Sequence, residues 1–419
     1  LILTAINIGA GTTLTGRGAT LKRKNSANTN RIQCADTGTV TIRDLTLDGN
    51  GANQSTAGIS VFLGQHSAAA VGDIRVLDCR IINAKSYGIR TTGTANVGSR
   101  LTVRGCSFEG LAAVSAIETE NDDDVQVADC SFYNLTGRGV YIGNPSAGGD
   151  RAQVVDNRIR LITGMGIEVQ NIAGAVVSGN SIYNVGSYGI SVDTCPGAVV
   201  NGNRVATFTG VGIEIIGCDG FSAAGNFVNF TAGGAAGTGM TVDQSQRGTV
   251  SGCTFIGFGV DGVHVMGNVN PADFNTITGC AFKGNDTFAV GVRLNTTNHT
   301  AVASCTFSGT IFVGVRGVTA NKTTVSGGTF LGSYAVYLDG CSDCRVSNIE
   351  SVGPSAGNGI TWTSSSTGNS VIGSRLTGHA VGVDVGASAD YIVILGNDTR
   401  GSTTGIQGTA ANQHVANNH

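Results

Sequence analysis

One short phrase constrains this chain more than anything else in it. A small residue, Gly or less often Ala, is followed by apolar, variable, apolar. The phrase reads GIRT at 88, AIET at 116, GVYI at 139, GIEV at 166, GISV at 189, GIEI at 212, GMTV at 239, GVHV at 262, GVRL at 291 and GVRG at 314. It continues as AVYL, GITW, GVDV and GIQG at 335, 359, 382 and 405, with earlier copies at Gly58 (GISV) and Arg31. The commonest spacing is 23 residues, and from Gly58 onward none is shorter than 21. A second phrase, of the type VSGNSI (177–182) or VSGCTF (250–255), precedes the small residue by about nine positions. Both alternate with period two, so both are strands with one buried face. Short strands repeating at this period, with no helical periodicity, predict an all-β, right-handed, single-stranded parallel β-helix, a solenoid of about 16 rungs. A leucine-rich repeat would need its Leu/Asn signature, and a propeller a longer repeat.

Composition agrees. Of 419 residues 65 are Gly and 4 are Pro, and only 13% are charged. Ser, Thr, Asn and Gly carry the polarity, as suits strands and tight turns. We expect one β-helix domain over 1–419, with opening coils over 1–56 and regular rungs over 57–419. Leu1 in place of Met points to a natural start further upstream. A net charge of −3 gives no reason to expect nucleic acid as a partner. No apolar run approaches the ~18 residues of a membrane span.

Several ladders should point inward. Asn157, Asn180, Asn203 and Asn226 hold one turn position on successive rungs, where each amide can bond its neighbours above and below. Cys79, Cys106 and Cys130 take that place earlier, and Cys253, Cys280 and Cys305 later. These read as small buried thiols rather than metal ligands, and reduced interior cysteines fit assembly in a cytosol. Phe255, Phe282, Phe307 and Phe330 should stack two positions further on. Cys341 and Cys344 form a CxxC pair, but a zinc site needs a second pair, for which only Cys195 and Cys218 offer themselves. No metal centre is expected there.

The variable position of the phrase, and the position two further on, should face outward as two columns with rungs ~4.8 Å apart. The first column runs Ser60, Arg90, Glu118, Tyr141, Glu168, Ser191, Glu214, Thr241, His264, Arg293, Arg316, Tyr337, Thr361, Asp384. The second adds Glu120, Gln170, Asp193, Asp243, Asn295 and Asp339. Six carboxylates, Glu118, Glu120, Glu168, Asp193, Glu214 and Asp243, gather in the middle of this face in a chain poor in charge. Glycoside hydrolysis needs one protonated and one ionised carboxyl group ~5 to 9.5 Å apart. Crowded acids could raise one pKa by mutual repulsion. We therefore take Glu168, Asp193 and Glu214 as catalytic candidates, and expect Glu168→Gln, Asp193→Asn or Glu214→Gln to abolish cleavage. Glu118, Glu120, Tyr141, Asp243, His264, Arg293 and Arg316 are candidates for binding substrate. Asp122, Asp123 and Asp124 with Glu118 could hold Ca²⁺, although such a run is more often a solvated turn, so no cofactor is expected.

With its rung phrase and the opening TTLTGRGATLKRKN followed by TVTIRDLTLDGN, the chain resembles the pectate-lyase-like superfamily of parallel β-helix carbohydrate enzymes and phage tailspikes. The resemblance covers essentially the whole chain. It implies a tailspike-type protein that binds and hydrolyses a bacterial surface polysaccharide, acting as a homotrimer on a virion tail or outside the cell. The alternatives are a lyase or epimerase on a uronate polymer, using Arg293 or His264 as base, and a non-catalytic adhesin. Polygalacturonase motifs match only at Asp261 in VDGVHV and Arg293 in VGVRLN; the Asp pair and Gly-His-Gly are missing, and Asn295 stands where a Lys is expected. Pectate-lyase and alginate-epimerase signatures are absent, so no catalytic residue is carried over.

Overall fold

The computed structural model describes the chain except for residues 1, 4–5, 36–37, 57, 59, 67–71, 94–98, 112–113, 121, 144–150, 231–236, 268–271, 287, 355 and 409–412. The described residues are an all-β right-handed parallel solenoid of about 15 turns, with one 3-10 turn, Gly51–Asn53, among them. They form two compact units, Leu1–Gly210 and Val211–His419. Ile59 of the Gly58 phrase lies outside the described residues.

A regular turn has three strands, as in Arg100–Arg104, Ser107–Leu111 and Ser115–Glu120, while the opening turns merge the first two into one, as in Thr39–Asp48. All pairings are to the same strand one turn away and parallel, so a side chain meets its counterpart directly above and below. The third strand carries the rung phrase. Its small residue is required by close approach: a Cβ on Gly291 would lie 2.6 Å from the carbonyl oxygen of Gly314 and inside the Phe307 ring.

The interior ladders form as expected. In the first unit the backbone N–H of Asn157 donates to Asn180 Oδ1 at 3.0 Å, and that of Asn180 to Asn203 Oδ1 at 3.0 Å. Their Nδ2 groups donate to Val127 and Val154 carbonyls at 2.9 and 2.8 Å. The turn's donors and acceptors are thus satisfied without water. In the second unit Phe255, Phe282, Phe307 and Phe330 stack with centroids 5.2, 4.9 and 4.5 Å apart, all buried. All eleven cysteines are buried and unbridged, Cys341 and Cys344 included.

Register corrects one expectation. Leu63, not Ser60, stands beneath Arg90 in the outward column, while Ser60 pairs with Tyr87 and is fully buried. The strand Ser60–His66 starts late relative to its phrase, so the local pattern at Gly58 is displaced by three residues.

Candidate functional site

The outward face of the rung strands has three columns. Besides the two expected, the residue just before the small residue lies beside the variable position, because the pleat is interrupted there. Ser115 Oγ donates to Glu118 Oε2 at 2.9 Å, which shows the two on one side. This third column runs Tyr87, Ser115, Arg138 in the first unit and Thr238, Asp261, Val290, Val313, Tyr334 in the second. It supplies the counter-charges that the two-column reading lacks.

In the first unit the acids are interleaved with arginines. Arg90 Nε lies 3.3 Å from Glu118 Oε1 and its Nη2 3.2 Å from Glu120 Oε1. Arg138 Nη2 lies 3.6 Å from Glu118 Oε2, and Nη1 2.7 Å from Glu168 Oε2. The repulsion expected between stacked carboxylates is therefore replaced by alternating attraction. Glu118 and Glu168 are also buried rather than solvated. Arg138 covers the Tyr141 ring at 4.2 Å, occupying a face that was expected to receive a sugar. Burial and Glu168 together push the Tyr141 hydroxyl above its usual range, and the hydroxyl donates to Gln170 Oε1 at 3.1 Å. Asp193 pairs in register with Gln170 and Ser191 with Glu168, so Asp193 lies one rung beyond Glu168 in the adjacent column. It accepts from Thr194 Oγ1 at 2.8 Å and Gln170 Nε2 at 3.4 Å.

Asp122 and Asp124 each have partners other than Glu118. Asp122 is buried against Thr91 and Ser99, and Asp124 pairs with Arg151 at 3.4 Å. Among the described residues no group of three His, Cys, Asp or Glu side chains is placed to hold a metal ion.

In the second unit the column runs Glu214, Thr241, His264, Arg293, Arg316, Tyr337 on consecutive rungs, with Asp243, Met266 and Asn295 beside it. Here the charges do not alternate. Arg293 and Arg316 are direct neighbours in register. Asp261, whose side chain is 1% exposed, receives Arg293 Nε at 2.8 and 2.9 Å. Burial pushes its carboxyl above the usual range, against the pull of Arg293. His264 Nδ1 lies 3.4 Å from Asp261 Oδ2 and its Nε2 3.1 Å from Asn295 Nδ2. Burial, reinforced by Arg293, lowers His264 to about 4, so the imidazole is neutral at pH 7. An amide N–H facing Nε2 requires a lone pair there, which puts the proton on Nδ1, toward the carboxylate. The Arg316 Nε is buried without a hydrogen-bond partner, and the guanidinium lies 5.8 Å from the Tyr337 ring. Tyr334 stands edge-on to Tyr337 at 5.9 Å and to Phe312 at 5.2 Å, forming an aromatic margin.

The structure thus brings together His264, Arg293 and Arg316, places Glu168 and Asp193 in the other unit from Glu214 and Asp243, and adds Arg138 and Asp261. The sequence signal for the additions is a charge immediately before the rung Gly, visible only once the interrupted pleat is known.

The family description "Right handed beta helix region" matches residues 98–231 and 216–398. A search of curated protein sequences finds no match. Among solved structures, the N-terminal fragment of bacteriophage phi29 gene product 12 superposes with TM-score 0.58 at 13% identity, covering 97% of this chain and 86% of that one. The periplasmic alginate epimerase AlgG superposes with TM-score 0.52 at 12% identity, covering 70% of this chain and 77% of that one. At such identities the likeness is one of fold. No helix among the described residues is long and apolar enough to cross a membrane.

Proposed function

The chain belongs to the right-handed β-helix family, and from that premise we propose that it is a carbohydrate-active protein that binds an acidic polysaccharide and removes a proton next to a uronate carboxylate. The observation that carries this reading is the stack of His264, Arg293 and Arg316 on consecutive rungs. Like charges directly opposite on paired strands are destabilising. An anionic group lying across the two arginines turns that cost into binding. The similarity of fold to a periplasmic alginate epimerase supports a polysaccharide ligand and a place of action outside the cytoplasm.

The chemistry follows from the groups. A proton α to a carboxylate becomes acidic when the carboxylate's developing charge is held by cations. Arg316 and the terminal nitrogens of Arg293 are the cations. His264 Nε2 is the base that takes the proton, once the substrate displaces the Asn295 amide from its lone pair. A substrate carboxylate beside Arg293 offsets the field that helps to lower His264, so its basicity rises as the substrate arrives. Loss of the 4-linked sugar, its leaving oxygen taking up the proton held by His264, then gives elimination, and delivery of a proton from water to the other face gives epimerisation. Hydrolysis at Glu168 is less well supported, because a proton donor there would first have to leave Arg138.

The test is turnover of alginate, pectate and bacterial capsular polysaccharides in D₂O. Product absorbance reads the unsaturated uronate, and NMR reads deuterium at the reacting carbon. His264→Ala should remove both signals. Appearance of new reducing ends with neither signal would restore the hydrolase reading. A homotrimer remains part of the proposal, and light scattering at micromolar concentration checks it.

A further inference from the structure

One groove of the first unit is on neither outward column of the rung strands. It lies on the other sheet, over the strands Asp73–Leu77, Arg100–Arg104 and Asp124–Ala128. Its volume is about 750 Å³, and Arg75, Arg100, Thr102, Arg104, Gln126 and Asp129 are among its walls. A second hollow of about 190 Å³ shares Arg100, Thr102 and Gln126 and continues to Arg151 and Gln153. Together they cross several rungs.

Two features point to a ligand. First, register stacks hydrogen-bonding side chains in one line: Thr41, Arg75, Thr102, Gln126, Gln153. Amides, hydroxyls and a guanidinium in line, one per rung of ~4.8 Å, match a chain of hydroxyl-rich units about as long as a rung is high. Second, Arg100 is left over. It stands in register between Asp73 and Asp124. Asp73 is taken by Arg75, whose Nη2 lies 2.5 Å from Oδ2, and Asp124 by Arg151. Arg104 likewise pairs with Asp129 at 3.0 Å. Arg100 forms no ion pair among the described residues and is exposed in the groove. A guanidinium without its own acid, between two acids already committed, is placed to take a carboxylate from outside.

We propose that this groove is a second carbohydrate-binding site, taking an acidic oligosaccharide with one carboxylate seated on Arg100. It rests on the reading above only in sharing an acidic polymer. The groove would hold the polysaccharide, not react with it.

Calorimetric titration of the full chain carrying His264→Ala tests it, with hexamers of galacturonate, mannuronate and hyaluronan as probes and their methyl esters as neutral controls. At least one acidic hexamer should bind. Arg100→Ala should weaken or remove one binding event about tenfold or more, as expected for a lost charge-assisted pair. Gln126→Ala should weaken the same event less. Both residues are outside the core, so circular dichroism should be unchanged. An unaltered isotherm in Arg100→Ala, equal binding of the methyl esters, or no binding by any hexamer would each overturn the groove. Binding lost in Arg316→Ala but kept in Arg100→Ala would overturn it while leaving the proton-removal reading standing. Binding lost in Arg100→Ala with no turnover by the unaltered chain would do the reverse.

Discussion

The two units carry the same rung phrase and the same outward columns, yet they treat charge oppositely. In the first, Arg90, Glu118, Arg138 and Glu168 alternate from rung to rung, and each acid has a base within 3.3 to 3.6 Å or closer. In the second, His264, Arg293 and Arg316 follow one another, and among the described residues Asp261 is the one acid in an ion pair with them. The first arrangement satisfies itself and behaves as structure. The second is incomplete without an anion, and is where we place the chemistry. The count of acids on a face says less than whether each one already has a partner.

The units also differ inside, and this gives the largest expected effect. The second unit is centred on the Phe255–Phe330 stack, while the first has Phe108 and Phe132 at 4.8 Å. Phe307→Ala, removing a ring in contact above and below, should lower stability by about 3–5 kcal/mol. Urea unfolding monitored by circular dichroism checks it, and a loss below about 1 kcal/mol would show that the stack adapts to a cavity.

Acidification should separate the units next. His264 has its folded pKa lowered to about 4 from an ordinary 6.5. The unfolded state therefore takes up the proton first. Stability is full above pH 6.5 and falls toward pH 4, by on the order of 3 kcal/mol. The raised carboxyl of Asp261 works in the opposite sense, adding stability as pH falls through its own elevated range. His264→Asn should flatten the slope between pH 6.5 and 4. An unchanged slope would mean that the imidazole is open to water.

Activity comes third. His264→Ala should cost roughly 100-fold or more in turnover, as for a general base. Turnover within a few-fold of the unaltered chain would return attention to Asp193 and Glu214.

The smallest effect is the sharpest test of the contrast. Glu168→Gln should cost about 1–2 kcal/mol through the lost charge on Arg138, with turnover unchanged. Loss of turnover with stability intact would reverse the roles assigned to the two units.

Much of this was legible from residues alone. The inward identity of Asn157, Cys280 and Phe307 followed from their place in the repeat, because a parallel coil puts every repeat position over its counterpart. The outward columns were legible for the same reason, apart from Ser60, where the strand Ser60–His66 slips against its phrase. The partners were not. Arg138 and Asp261 precede the small residue, and strict alternation would place them away from Glu118 and His264. The groove around Arg100 was missed because its strands, such as LTVR, look like ordinary alternating strands.

Sequence by itself determined the coil and which side chains face in, since these depend only on periodicity and on the near-identity of successive rungs. Tertiary structure decided which charges neutralise one another. That depends on a local break in the pleat and on side chains reaching 3 Å across rungs that lie 23 to 32 residues apart, as Arg293 reaches Asp261. No spacing rule reports such a contact, because a guanidinium on one rung can reach acids on its own rung or on either neighbour, and packing alone selects among them.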